Sequence, residues 1–153
     1  MVEIMTKPGL KIWTLVAGFL MLVIAGSAVA DTMGGQAKNK LVIQVSTDDA
    51  RTQTIALNNA VNLQEEYGMD NIDIEIVAYG PGLGLLTTAN PQASRVKSLA
   101  MQNIHFSACG NTMAKVAKKT GKTPELVEGV KIVKAGVSRI MELQQNGYAY
   151  VRP

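Results

Sequence analysis

A three-layer α/β/α fold built on a mainly parallel five-stranded sheet is what this sequence predicts, on three observations. Short runs rich in β-branched residues alternate with segments whose apolar residues recur at helical spacing. The connections between them are brief and carry Gly, Pro, Asn or Ser. The first run, Leu41-Val42-Ile43-Gln44-Val45, is apolar at consecutive positions rather than at every second one, as a strand covered on both faces requires.

Taken in order, that first strand ends at Ser46-Thr47-Asp48-Asp49, a group of helix-capping residues. The helix after it places Ile55, Ala56, Ala60, Val61 and Leu63 towards the core and stops at Gly68. A second strand, residues 72–79, alternates apolar and acidic at first, which turns Asp73 and Glu75 to solvent and puts its start towards a sheet edge. Gly80-Pro81-Gly82-Leu83-Gly84 follows as a glycine-rich loop. It fails as a dinucleotide fingerprint because Leu85 stands where the third glycine belongs and Pro81 lacks an N–H. Positive φ or close backbone approach explains its glycines better.

Residues 91–101 read as a helix with Val96, Leu99 and Ala100 inward, and residues 104–108 as a strand running into Cys109. A helix from Asn111 carries Met113, Val116 and Ala117 and ends at Gly121. Residues 130–133 form a further strand. The helix beginning near Gly136 has Val137, Ile140, Met141 and Leu143 at helical spacing, and residues 148–151 make the last strand. Alternating strands and helices imply right-handed crossovers, with chemistry gathered beyond the carboxyl ends of the strands. That edge comprises residues 46–49, 79–84, 109–112 and 134–136.

The amino-terminal segment, residues 1–30, has the pattern of a secretory signal peptide: Lys7 and Lys11, an apolar run over residues 12–25, and Ala28-Val29-Ala30 as the cleavage pattern. Export to a bacterial periplasm follows, with an uncleaved membrane anchor as the alternative. Residues 31–39, with Gly34-Gly35, form a flexible tether, and residues 40–153 one domain. The formal charge of +3 is too small, and its lysines too free of interleaved aromatics, for a nucleic-acid surface. One cysteine and one histidine exclude a metal centre of the zinc type, and no cofactor is expected. The eight methionines are dispersed, and Met1, Met5 and Met21 leave with the leader, so no copper box forms.

Cys109 is the candidate reactive group. It lies where a strand meets a helix, and a helix start offers unpaired N–H groups and a positive dipole end, both of which favour a thiolate. The N–H groups of Gly110, Asn111 and Thr112 are the expected donors, with the Asn111 and Thr112 side chains as supplements, while Tyr79, Gly80, Pro81 and Gly82 shape the pocket. The alternative is a small buried hydrophobe that completes its strand. His105 fails as its base, because four residues along a strand is about 13 Å. Asp48 and Asp49 are read as caps rather than as acid–base groups. Without a second cysteine, any covalent work by Cys109 needs another molecule.

From Leu41 onward the chain resembles the DsrE/DsrF-like family of small sulfur-handling proteins, in particular its exported branch. The matching landmarks are Ala56-Leu57-Asn58-Asn59-Ala60, Val77-Ala78-Tyr79-Gly80-Pro81-Gly82-Leu83, Phe106-Ser107-Ala108-Cys109-Gly110-Asn111-Thr112-Met113 and the ending Gly147-Tyr148-Ala149-Tyr150-Val151-Arg152-Pro153. The resemblance implies a carrier that holds sulfur as a persulfide on Cys109, working as a homo-oligomer with sulfur donor and acceptor proteins or small sulfur compounds as partners. The alternative function is a non-catalytic oligomeric binding or assembly module of the same fold.

Overall fold

The structure, a computed structural model, describes residues 39–153, so the expected leader and all but the last residue of the expected tether lie outside the described residues. The described elements are β1 (Asn39–Val45), α1 (Ala50–Tyr67), β2 (Ile72–Ala78), α2 (Ala93–Ala100), β3 (Ile104–Cys109), α3 (Gly110–Thr120), β4 (Val130–Val133), α4 (Gly136–Gln145) and β5 (Ala149–Val151). A 3₁₀ turn, Gly80–Leu86, replaces the glycine-rich loop between β2 and α2. The five strands form one sheet in the order β4-β3-β2-β1-β5, every neighbouring pair parallel.

The two faces of that sheet are covered unequally. Leu41, Ile43 and Val45 of β1, Ile74, Ile76 and Ala78 of β2, and Ile104, Phe106 and Ala108 of β3 pack in one core with Ala56, Leu57 and Ala60 of α1, Val96 and Leu99 of α2, and Met113 of α3. The other face holds a small cluster in which Val42 and Val77 meet Ile140 and Leu143 of α4, with Tyr79 and Tyr148 against it. Right-handed crossovers explain the split: β1 to β4 step in one direction across the sheet, which puts α1, α2 and α3 on one side. The chain then returns past β1 to β5, which puts α4, alone among the described helices, on the other.

Local signals account for the element ends. The Asp49 carboxylate accepts the Thr52 N–H at 2.7 Å as the α1 cap. Gly121 ends α3 at φ 76°, the left-handed conformation glycine adopts freely. Gly82 is required by contact: a Cβ there would lie 2.2 Å from the Val45 carbonyl oxygen.

Three sequence expectations are corrected. The start of β2 is not towards an edge, since β2 lies between β1 and β3. Its alternation is right, but Glu75 is buried at 4% exposure, because the face it points to carries α4. The cores of two helices are narrower than their apolar spacing suggests. Ile55 is exposed and α1 buries Gln53, Ala56, Leu57 and Ala60, while α4 buries Gly136, Ile140 and Leu143 and leaves Val137 and Met141 54% and 57% exposed.

Candidate thiol site at the carboxyl edge of the sheet

Adjacent strands β3 and β4 send their outgoing connections to opposite faces: β3 leads to α3 on the three-helix side, β4 to α4 on the other. Such a divergence opens a crevice at the carboxyl ends of the strands, where ligand and catalytic groups of open α/β sheets collect. Cys109 closes β3 at this point and pairs in register with Val133, the last residue of β4. Two helix starts therefore flank one sulfur.

Cys109 is also the N-cap residue of α3, the position usually taken by Ser, Thr, Asp or Asn. Neither α3 nor α4 has a side-chain cap. Their unpaired N–H groups are thus left for another acceptor, and the sulfur is placed to be it. Burial of the thiol favours its neutral form. Hydrogen bonding from the Thr112 hydroxyl, and then from the N–H groups of Gly136, Thr112 and Asn111, outweighs burial and holds the pKa below the ordinary thiol value.

The Thr112 hydroxyl is aligned by a further bond. Its oxygen accepts the Gly80 N–H at 3.0 Å, which leaves its own proton for the sulfur. Gly80 makes this donation at φ 54°, a conformation strained for residues with a side chain. Thr112 and Gly80 are therefore joined to each other at the start of α3, beside the thiol. Tyr79 reaches the site differently: its ring packs on Gly136, where a Cβ would approach it to 3.0 Å.

The other expected residues act elsewhere or more weakly. The Asn111 N–H is drawn to the Lys134 carbonyl at 3.2 Å, and its side chain is exposed. Gly110 allows the β4–α4 connection to pass close, since a Cβ would meet the Val133 carbonyl at 3.1 Å. Pro81 is exposed in the first turn of the 3₁₀ segment, and Gly82 serves its packing on β1. His105 is half exposed at the opposite end of β3, with its Nε2 3.7 Å from an Asp73 oxygen.

Sequence reasoning missed two contributors. Gly136 was visible only as part of the carboxyl edge, and nothing local signals that its N–H serves a cysteine on another strand. Glu75 read as a surface carboxylate, yet its Oε1 accepts from Ser107 Oγ at 2.6 Å and Arg139 Nε at 2.9 Å, and its Oε2 accepts from Arg139 Nη2 at 2.8 Å. This ion pair lines a cleft of about 310 Å³ on the α4 face, together with Asp73, His105, Ser107 and Lys131. Among the described residues, no three His, Cys, Asp or Glu side chains gather as metal ligands would.

The described residues form a small parallel α/β fold with one thiol, Cys109, at the N-cap position of α3 on the carboxyl edge of the sheet. The family model described as DsrE/DsrF-like matches residues 39–153, and the chain belongs to that family. Among solved structures, it is similar to protein MTH1491 of Methanobacterium thermoautotrophicum, described as a protein of unknown function. Identity is 30%, over 75% of this chain and 99% of that one, with a TM-score of 0.68. The ychN protein from E. coli shares the fold at 14% identity, covering 76% and 99% of the two chains with a TM-score of 0.60. No curated protein matches the chain. Membership of the family suggests a sulfur-relay-like function.

Proposed function

We propose that the protein is a periplasmic sulfur carrier that holds sulfur as a persulfide on Cys109. The observation that carries this reading is the position of Cys109 between two helix starts that have no side-chain cap, at the end of β3 and in register with Val133 at the end of β4. The step is a displacement. The thiolate attacks the outer sulfur of thiosulfate or a terminal sulfur of polysulfide, an S–S bond forms on Cys109, and the donor's S–S bond breaks with sulfite or a shortened polysulfide leaving. Two electrons stay with the leaving group, and no external oxidant is needed. The same N–H groups then steady the persulfide anion until an acceptor thiolate removes its outer sulfur.

The carrier is proposed to work as a homo-oligomer. Val137 and Met141, one turn apart on α4, are exposed apolar residues, and Ile132 of the edge strand β4 is 62% exposed. The periplasmic assignment rests on the leader pattern of residues 1–30.

Incubation with thiosulfate or polysulfide followed by intact mass measurement tests the proposal. Wild type is expected to gain the mass of one sulfur atom and Cys109→Ser to gain none; an unmodified wild type under conditions that load a known carrier ends the proposal. One observation favours a second reading, a non-catalytic binding or assembly module: Cys109 is only 5% exposed in the single chain. A thiol inert to iodoacetamide until the protein is unfolded would support that module.

A further inference from the structure

We propose that the Glu75–Arg139 ion pair is the positioning device of the thiol site, fixing the start of α4 so that the Gly136 N–H is held on the Cys109 sulfur. The inference rests on Cys109 being a working thiolate and goes further, by assigning a role to two residues that do not touch it.

Besides Tyr79, which packs on Gly136, and the Asn111 N–H, which donates to the Lys134 carbonyl, little side-chain packing holds the start of α4. It follows β4, a four-residue edge strand with no fully buried side chain, and its apolar anchors Ile140 and Leu143 come one and two turns later. Arg139 lies in the first turn, its N–H donating to the Ala135 carbonyl at 3.0 Å. From there its guanidinium reaches Glu75 in the middle of β2 with two bonds of 2.9 and 2.8 Å. A planar fork on a carboxylate constrains orientation as well as distance, which a lysine cannot do. Ser107, bonded to Glu75 Oε1 at 2.6 Å, locks the carboxylate from β3, two residues before Cys109. The pair thus ties β2, β3 and the first turn of α4 into one unit beneath the sulfur.

Positioning and simple charge effects predict different signs. If the charges acted only through their fields, removing the Glu75 negative charge would make the thiol more acidic, and exchanging Arg139 for Lys would change little. If the pair positions Gly136, both substitutions make the thiol less acidic.

The test is the pH dependence of iodoacetamide alkylation at Cys109 in the full chain, for wild type, Glu75→Gln and Arg139→Lys, with folding checked by circular dichroism. Both variants are expected to raise the thiol pKa by about half a unit to one unit, a loss of roughly three- to tenfold in rate at pH values below it. A lowered pKa in Glu75→Gln, or an unchanged one in Arg139→Lys, overturns the proposal. If Glu75→Gln does not fold, Arg139→Lys decides alone, since its side chain is partly in solvent and keeps its charge. A wild-type thiol of ordinary pKa that takes up no sulfur would sink the carrier reading itself. An acidic, sulfur-loading wild type with unchanged variants would sink only the positioning role.

Discussion

Cys109 stands at the N-cap position of α3, where an aspartate or serine would accept N–H groups that the helix leaves unpaired and where a thiolate, unlike a thiol, is a strong acceptor. Stabilising the helix start and acidifying the thiol are therefore one effect. The Thr112 hydroxyl is one of the donors that lower the thiol pKa, so Thr112→Val, which keeps the shape and removes the hydroxyl, should raise the Cys109 pKa by about half a unit to one unit. Losing a donor to the charged form moves the titration upward, so the thiolate fraction at neutral pH falls. Alkylation rate against pH measures it, and an unchanged profile would remove Thr112 from the site. Gly82 is a different kind of residue, required by packing rather than chemistry. A Cβ at 2.2 Å from one backbone atom and 2.6 Å from another has nowhere to go. Gly82→Ala should cost about 3 kcal/mol, seen as a lower urea midpoint at unchanged slope.

Among the elements, β2 combines two roles. Its apolar residues fill the main core, and Glu75 on the opposite side anchors α4. Burial alone would push the Glu75 carboxyl up. The Arg139 and Ser107 bonds more than offset it, and its pKa lies below the ordinary glutamate value. Over the interval between those two values the unfolded chain binds the proton and the native chain does not. The stabilisation is complete above the unfolded pKa and is lost as pH falls through the native one. Urea midpoints taken from about pH 5 to about pH 3 should fall more steeply for wild type than for Glu75→Gln. Parallel curves would mean that Glu75 does not contribute to acid sensitivity. The α1 start is simpler. Asp49→Ala removes the carboxylate that accepts the Thr52 N–H and should lower the urea midpoint in the same assay, with no effect on the thiol.

For the whole molecule, the unequal layers set both the site and the exposed surface. Three helices close one face of the sheet, while α4 covers only part of the other and leaves a polar cleft beside β3 and β4. On α4 itself, Val137 and Met141 lie outside the stripe that meets the sheet, so the apolar arc of the helix is wider than the single chain buries. If that surplus packs copies together, the protein sediments as an oligomer, and Val137→Glu with Met141→Glu shifts it towards monomer while its unfolding midpoint changes little, as surface substitutions do. A wild type that sediments as a monomer at micromolar concentration would remove the homo-oligomer from the proposal.

The division between what the chain's order of residues determines and what tertiary structure decides follows from the range of the forces involved. Periodicity and capping are local, so the strands and helices, the Asp49 cap, the glycine stops and the placing of Cys109 between β3 and α3 were all legible from neighbouring residues. Alternation along β2 likewise told which residues share a face with Glu75. Whether that face meets water or a helix depends on where α4 lies, and that is set by the order of strands in the sheet. The same order makes the β3–β4 boundary the place where connections diverge, and so brings the Gly136 N–H and the Arg139 anchor to a sulfur on another strand. Those contacts join residues distant along the chain through backbone groups that every residue carries, and no residue type or spacing announces them.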